Sequence, residues 1–157
     1  MADSQKTESV RQFLTDTCAY LDNDELELWG DCFTEDALYR ILSRENHARG
    51  LPLSLLTCEG KSMIRDRINS LRKANIYNIH TDRHILSEPR FISRLPDQWQ
   101  VETSYVMFQT NQEGHSFLFS VGVYRDTVVF VEEKPKLKQR LVITDTAAIR
   151  TLLSTPI

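Results

Sequence analysis

The spacing of apolar residues changes period about halfway along this chain, and that change constrains the fold more than any other feature. Up to about residue 74 the apolar positions recur every three or four residues. From about residue 84 they alternate. Val10, Phe13, Leu14, Thr17, Cys18 and Leu21 fall on one helical face, which predicts a helix over 6–22. Asp22 or Asn23 can cap a second, shorter helix reaching about Phe33, with Leu26, Trp29, Cys32 and Phe33 as its buried stripe. Gly30 weakens that helix and suits a close packing contact. "ALYRILS" (residues 37–43) reads as a short strand, and "RENHARGLPLS" as a polar loop broken by Gly50 and Pro52. Met63, Ile64, Ile68 and Leu71 predict a third helix over 60–74, with Arg65, Arg67, Arg72 and Lys73 on its other faces.

Beyond it, "RHILSEPRFISRL" reads as a strand interrupted near Pro89. "WQVETSYVMFQT", then "HSFLFSVGVYRDTVVFVEE" after the hairpin loop "NQEG", and finally "KPKLKQRLVITD" supply three more strands. Gly122 marks a bend in the longest of them. Three helices around one short strand are thus followed by a four-stranded antiparallel meander. Long strands with one apolar face must fold over something, and the helices are the only cover available. The expected fold is α+β: a cone in which three N-terminal helices pack into a strongly curved, mainly antiparallel sheet. The 157 residues suit one domain. Residues 1–8 are expected to be a flexible tail. Residues 145–157 are expected to be a tail at a subunit contact, because Ile149, Leu152, Leu153 and Ile157 would otherwise lie exposed.

Composition excludes several classes. A net charge of −3 argues against non-specific nucleic-acid binding, which needs a basic footprint. No stretch approaches the ~20 apolar residues of a membrane span, and "MADSQKTESV" has no apolar core of a secretion signal. Cys18, Cys32 and Cys58 form no CxxC pair and read as free thiols, for which the cytoplasm is the simplest location. Charge is uneven: residues 22–36 hold seven acids and no base, and residues 61–73 hold five bases and one acid. These stretches read first as two solvated helix faces, and second as complementary contact surfaces in an assembly.

The element order, with "CFTEDALYRI" joining the second helix to the first strand, resembles the NTF2-like (cystatin-like) superfamily. "RENHARGLPL" (Arg44 to Leu53) and "DRINSLRKANIYNIHTDRHIL" (Asp66 to Leu86) resemble the small, β subunits of Rieske-type aromatic-ring-hydroxylating oxygenases. The similarity is greatest to those acting on aromatic carboxylates of the salicylate, terephthalate or anthranilate type. The resemblance implies a large α subunit carrying a Rieske [2Fe–2S] cluster and a mononuclear non-haem iron. It also implies an α3β3 assembly and electrons from a nicotinamide-dependent reductase or ferredoxin. A small subunit of this kind carries no cofactor, metal or catalytic residue of its own.

Read from the residues alone, "YNIHTDRHIL" is the most suggestive stretch. His80, Asp82 and His84 supply the two histidines and one carboxylate of a mononuclear oxygenase iron. A Rieske centre needs two Cys and two His, and none of the three cysteines has a histidine within two positions. The segment reads as a junction between helix and sheet, with Arg83 and His84 opening the strand, so the three side chains need not share a face. A pocket enzyme of isomerase or dehydratase type would need an inward base with a tyrosine or acid opposite. Asp36, Tyr39, His84 and His115 are its candidates. A homodimeric binding module is a third possibility. No GxSxG elbow or P-loop occurs, and Cys58, beside Glu59 with only Lys61 near, is a poor nucleophile.

Overall fold

The computed structural model describes residues 3–73, 79–145, 153 and 155–157. Helix α1 runs Asp3–Asp22 and buries Val10, Leu14, Thr17, Cys18 and Leu21, the stripe the spacing predicts. It begins at Asp3, so residues 3–8 belong to the helix and are not a tail. Helix α2 covers only Leu26–Asp31. Its cap position is Glu25, not Asp22 or Asn23, because Asp24 turns the chain with a positive φ of 58°.

Strand β1 spans Phe33–Ser43 and starts four residues before the apolar run that signals it. The stretch read as a loop holds helix α3, Arg44–Ala48, whose first turn is closed by the Ser43 hydroxyl accepting from the Asn46 amide at 3.1 Å. Strand β2, Leu56–Glu59, then returns antiparallel to β1. Helix α4, Lys61–Lys73, buries Ile64, Ile68 and Leu71. Gly30 lets α2 and α4 approach: a Cβ there would stand 2.9 Å from the Ile68 Cδ1.

Strands β3 (His80–Leu86) and β4 (Arg90–Arg94) are the two halves of the strand interrupted at Pro89, and both pair with β5 (Trp99–Asn111). Strands β6 (Ser116–Val131) and β7 (Lys134–Thr144) complete the meander. The sheet order is β2-β1-β7-β6-β5-β3, with β4 also on β5. All pairings are antiparallel except β1 with β7, which is parallel. Register shifts that leave extra residues in β1, β4, β6 and β7 increase the twist and let the sheet curl round the helices. Gly122 lies where this curl brings two backbones together: a side chain there would run into the Ile143 carbonyl oxygen.

Two polar features hold the layers together. Arg140 on β7 lies opposite Asp126 on β6 and grips its carboxylate with two bonds, Nε–Oδ1 at 2.9 Å and Nη2–Oδ2 at 2.8 Å. Arg140 also donates to Thr17 Oγ1 on α1 at 3.1 Å and stacks 4.4 Å from the Tyr124 ring centre. Both side chains of this pair are at most 1% exposed. Burial alone would loosen the guanidinium proton, but the Asp126 carboxylate more than offsets it and raises the Arg140 pKa.

The second feature revises the reading of the charged stretches, which face each other within the chain. Arg72 forks onto Glu27 with two bonds of 3.0 Å and reaches Asp24 at 2.6 Å. Lys61 lies 3.2 Å from Asp31 and 3.9 Å from Glu35. Arg67 donates to the Leu153 carbonyl. Lys61, Arg67 and Arg72, three of the five bases in residues 61–73, are therefore engaged inside the fold. Ile157 is likewise completely buried, so it needs no subunit contact to cover it, and Leu153 is half-buried against the core. Ile149 and Leu152 lie outside the described residues.

Candidate functional site

His80 begins β3, so residues 80–86 are strand and not a junction. His80, Asp82 and His84 therefore share the inner face, with side chains 3%, 7% and 1% exposed. They do not converge on one point. His80 Nε2 lies 3.5 Å from Asp82 Oδ1. The Asp82 carboxylate also accepts from Gln109 Nε2 at 3.3 Å and Thr155 Oγ1 at 3.1 Å. Burial alone would raise the Asp82 pKa, but its bond and charge interaction with His80, with help from Thr155 and Gln109, bring it below its usual value.

His84 pairs instead with a residue the sequence reading used as a helix cap. Asp22 Oδ1 lies 2.6 Å from His84 Nδ1, and Asp22 Oδ2 accepts the His84 backbone N–H at 2.9 Å. The carboxylate is thus fixed from two sides, with Nδ1 as the ring donor to it. Nε2 is buried and has no hydrogen-bond partner among the described residues. Asp22, His84, Cys18, Leu14 and Leu86 border a cavity of about 540 Å³ between α1 and β3. One signal for Asp22 was present in the sequence: an acid in the last turn of a helix opposes the helix dipole, so its presence there calls for a partner.

The other candidates lie apart. Asp36 is exposed on β1 and accepts from the Thr34 hydroxyl at 2.8 Å. Tyr39 is fully buried, and burial drives its pKa far up, so it is a hydrogen-bonding group and not an acid. Its hydroxyl donates to Ile157 O and accepts from Ile157 N, both at 3.0 Å. His115 is exposed in the β5–β6 turn, where its amide bonds Asn111 Oδ1. All three cysteines are free and buried. Burial raises each thiol pKa, that of Cys32 to about 11, so none is an activated nucleophile.

Among the described residues no group of three or more His, Cys, Asp or Glu is placed to hold a metal ion. Neither donor set that an oxygenase iron or a Rieske cluster requires is assembled among the described residues. Also among the described residues, no helix is long and apolar enough to cross a membrane.

Helices packed into the hollow of a mainly antiparallel sheet define a known class. A family model described as the SnoaL-like domain matches residues 2–140. Within that class the chain is 43% identical over 138 residues to the anthranilate 1,2-dioxygenase small subunit of Burkholderia cepacia, covering 88% of this chain and 86% of that one. It is 33% identical to subunit beta 1 of the terminal oxygenase component of terephthalate 1,2-dioxygenase from Comamonas sp, covering 87% and 89%. A crystal structure assigned as the beta subunit of an aromatic-ring-hydroxylating dioxygenase from Novosphingobium aromaticivorans superposes with a TM-score of 0.88 at 37% identity, over 96% of both chains. The chain belongs to this family, the SnoaL-like small subunits of aromatic-ring-hydroxylating dioxygenases.

Proposed function

We propose that this chain is the non-catalytic small subunit of a Rieske non-haem iron oxygenase that hydroxylates an aromatic carboxylate of the anthranilate, terephthalate or salicylate type. The observation that carries the reading is the 43% identity to an anthranilate dioxygenase small subunit across nearly the whole chain. The large partner subunit carries the Rieske cluster and the mononuclear iron. The assembly is an α3β3 hexamer in the cytoplasm, fed with electrons through the large subunit by a reductase or ferredoxin. The 157 residues act as one domain, and none of them is catalytic or a ligand to a cofactor. The chain's contribution is mass action: by binding the folded large subunit it stabilises it.

One observation favours a second reading, that of a pocket enzyme: the Asp22–His84 pair beside its cavity has the parts of a proton acceptor. One experiment separates the two. His84→Ala is assembled with the large subunit, assembly is followed by sedimentation, and turnover of an aromatic carboxylate is measured at saturating partner. A support subunit loses turnover only in proportion to lost assembly. A loss of roughly 10²–10⁴-fold with the complex intact would reject the support reading and establish His84 as a base.

A further inference from the structure

An antiparallel sheet with water on one side alternates apolar and polar residues, and the outer face of this sheet departs from that rule. His80, Asp82 and His84 point inward, so Ile85 points outward on β3. It stands opposite Val106 on β5, which stands opposite Val121 on β6, so one row across three strands is apolar on the outside. The adjoining row toward the β5–β6 turn pairs Phe108 with Leu118, and Val123 lies on the other side of the first row. Ile85 is 57% and Leu118 49% exposed, and the other four are half-buried. A continuous apolar surface of this kind on the outside of a sheet marks an interaction site. Helix α3 overhangs it on one side: His47 Nε2 lies 3.0 Å from Arg125 Nη1 on β6, and Arg44 Nη1 lies 3.6 Å from Asp145 Oδ1. A groove of about 740 Å³ is lined by α3 and by Ile85, Val106 and Val121.

The charges around this floor favour one occupant. Arg125 and Arg90 share the Glu102 carboxylate, at 3.2 and 2.9 Å, and Arg44 faces Asp145. Arg83 is exposed on the same side of β3 as Ile85, opposite Phe108. Four arginines thus meet two carboxylates, a local positive excess on a chain whose net charge is −3. A second copy docking by the same face would set that excess against itself. A different protein, with apolar side chains at the centre of its contact and carboxylates at the edge, matches both floor and rim. We propose that this outer face is the docking surface for the large oxygenase subunit, which meets it with a surface of that chemistry. The inference rests on the small-subunit reading and adds to it the place where the two subunits meet. Ile85 and Val121 form the centre of the contact, where excluded water makes an added charge costly. Arg83 pairs with a partner carboxylate at the edge and steers the encounter.

The test measures affinity for the large subunit by sedimentation, with the full chain and the same partner as in the His84→Ala experiment. Ile85→Lys and Val121→Lys should each bind at least a hundredfold more weakly than the parent. Arg83→Glu should bind at least tenfold more weakly and lose part of the parent's dependence on salt. Arg65→Glu, an exposed change on α4, should bind within twofold of the parent. All four chains should keep the parent's circular dichroism and a cooperative melt, because the altered side chains point to solvent; if a lysine variant does not fold, Arg83→Glu decides alone. Parent-like binding by the folded outer-face variants overturns the proposal and leaves the small-subunit reading standing. A parent chain that binds no large subunit overturns both. A parent chain that self-associates without the large subunit, and becomes a monomer in Ile85→Lys, gives the face to a second copy and also overturns the proposal.

Discussion

Asp126→Asn is the substitution that most directly probes how this sheet is held to its helical filling. The change keeps the shape of the side chain and removes its charge. Arg140 would then keep a full positive charge at a position 1% exposed, facing an amide that offers one acceptor and an unwanted pair of donors. Removing one partner of a buried ion pair costs about 3–5 kcal/mol, because the remaining charge stays desolvated. Against a total stability of about 5–15 kcal/mol that is a large fraction. At about 2–4 °C per kcal/mol for a chain of this size, the melting temperature should fall by about 6–20 °C. The assay is urea unfolding of the purified chain followed by far-ultraviolet circular dichroism, fitted for midpoint and slope. The companion variant is Asp126→Leu with Arg140→Met, which removes both charges and keeps the volume. It should lie within about 1 kcal/mol of the parent or be more stable. A loss under about 1 kcal/mol in Asp126→Asn, or a double variant as damaged as the single, would refute the account of Arg140 as a charge kept buried by its partner.

Gly122→Ala should cost at least about 1–3 kcal/mol, read as a lower urea midpoint, because the new methyl group meets the backbone of Ile143 and not a movable side chain; an unchanged midpoint would show that the two strands can part there. Asp82 should shape the acid limb of the stability curve. Its folded pKa lies below its unfolded value of about 3.9, so its contribution is complete above that value and is lost as pH falls through the folded pKa. The urea midpoint of Asp82→Asn should accordingly fall less steeply than the parent's between about pH 5 and pH 2; parallel slopes would assign the acid limb to other carboxylates.

What the sequence made legible follows from how far each signal reaches. α1, α4 and β5 to β7 are long enough for period to declare them, and the interruption at Pro89 is a local rule. α3 has five residues and β2 four, too short for period to distinguish them from a loop. What makes α3 a helix is one hydroxyl cap, and what makes β2 a strand is its pairing with Leu38 to Ile41. The site divides the same way. Alternation places His80, Asp82 and His84 on one side once the segment is known to be strand. The pairing of His84 with Asp22 joins residues 62 positions apart and leaves only the misplaced acid at the end of α1 as its trace. The burial of Ile157 has no local signal, because an apolar tail is equally compatible with an intermolecular contact.

The parallel pairing of β1 with β7 has a consequence for how the chain comes to be folded. Leu38 pairs opposite Gln139, a partner about a hundred residues further along. A ribosome adding about 5–20 residues per second needs roughly 5–20 s to reach it. Until then β1 keeps one open edge, and strands β3 to β6, already synthesised, have no strand joining them to the β1–β2 pair. Closure of that edge is a long loop-closing event, which slows folding and extends the time in which an unpaired strand can find the wrong partner. Holdases that shield apolar segments during synthesis should therefore raise the yield of this chain more than they raise its final stability, and in nascent chains stalled before residue 134 the β1–β2 pair should remain protease-sensitive.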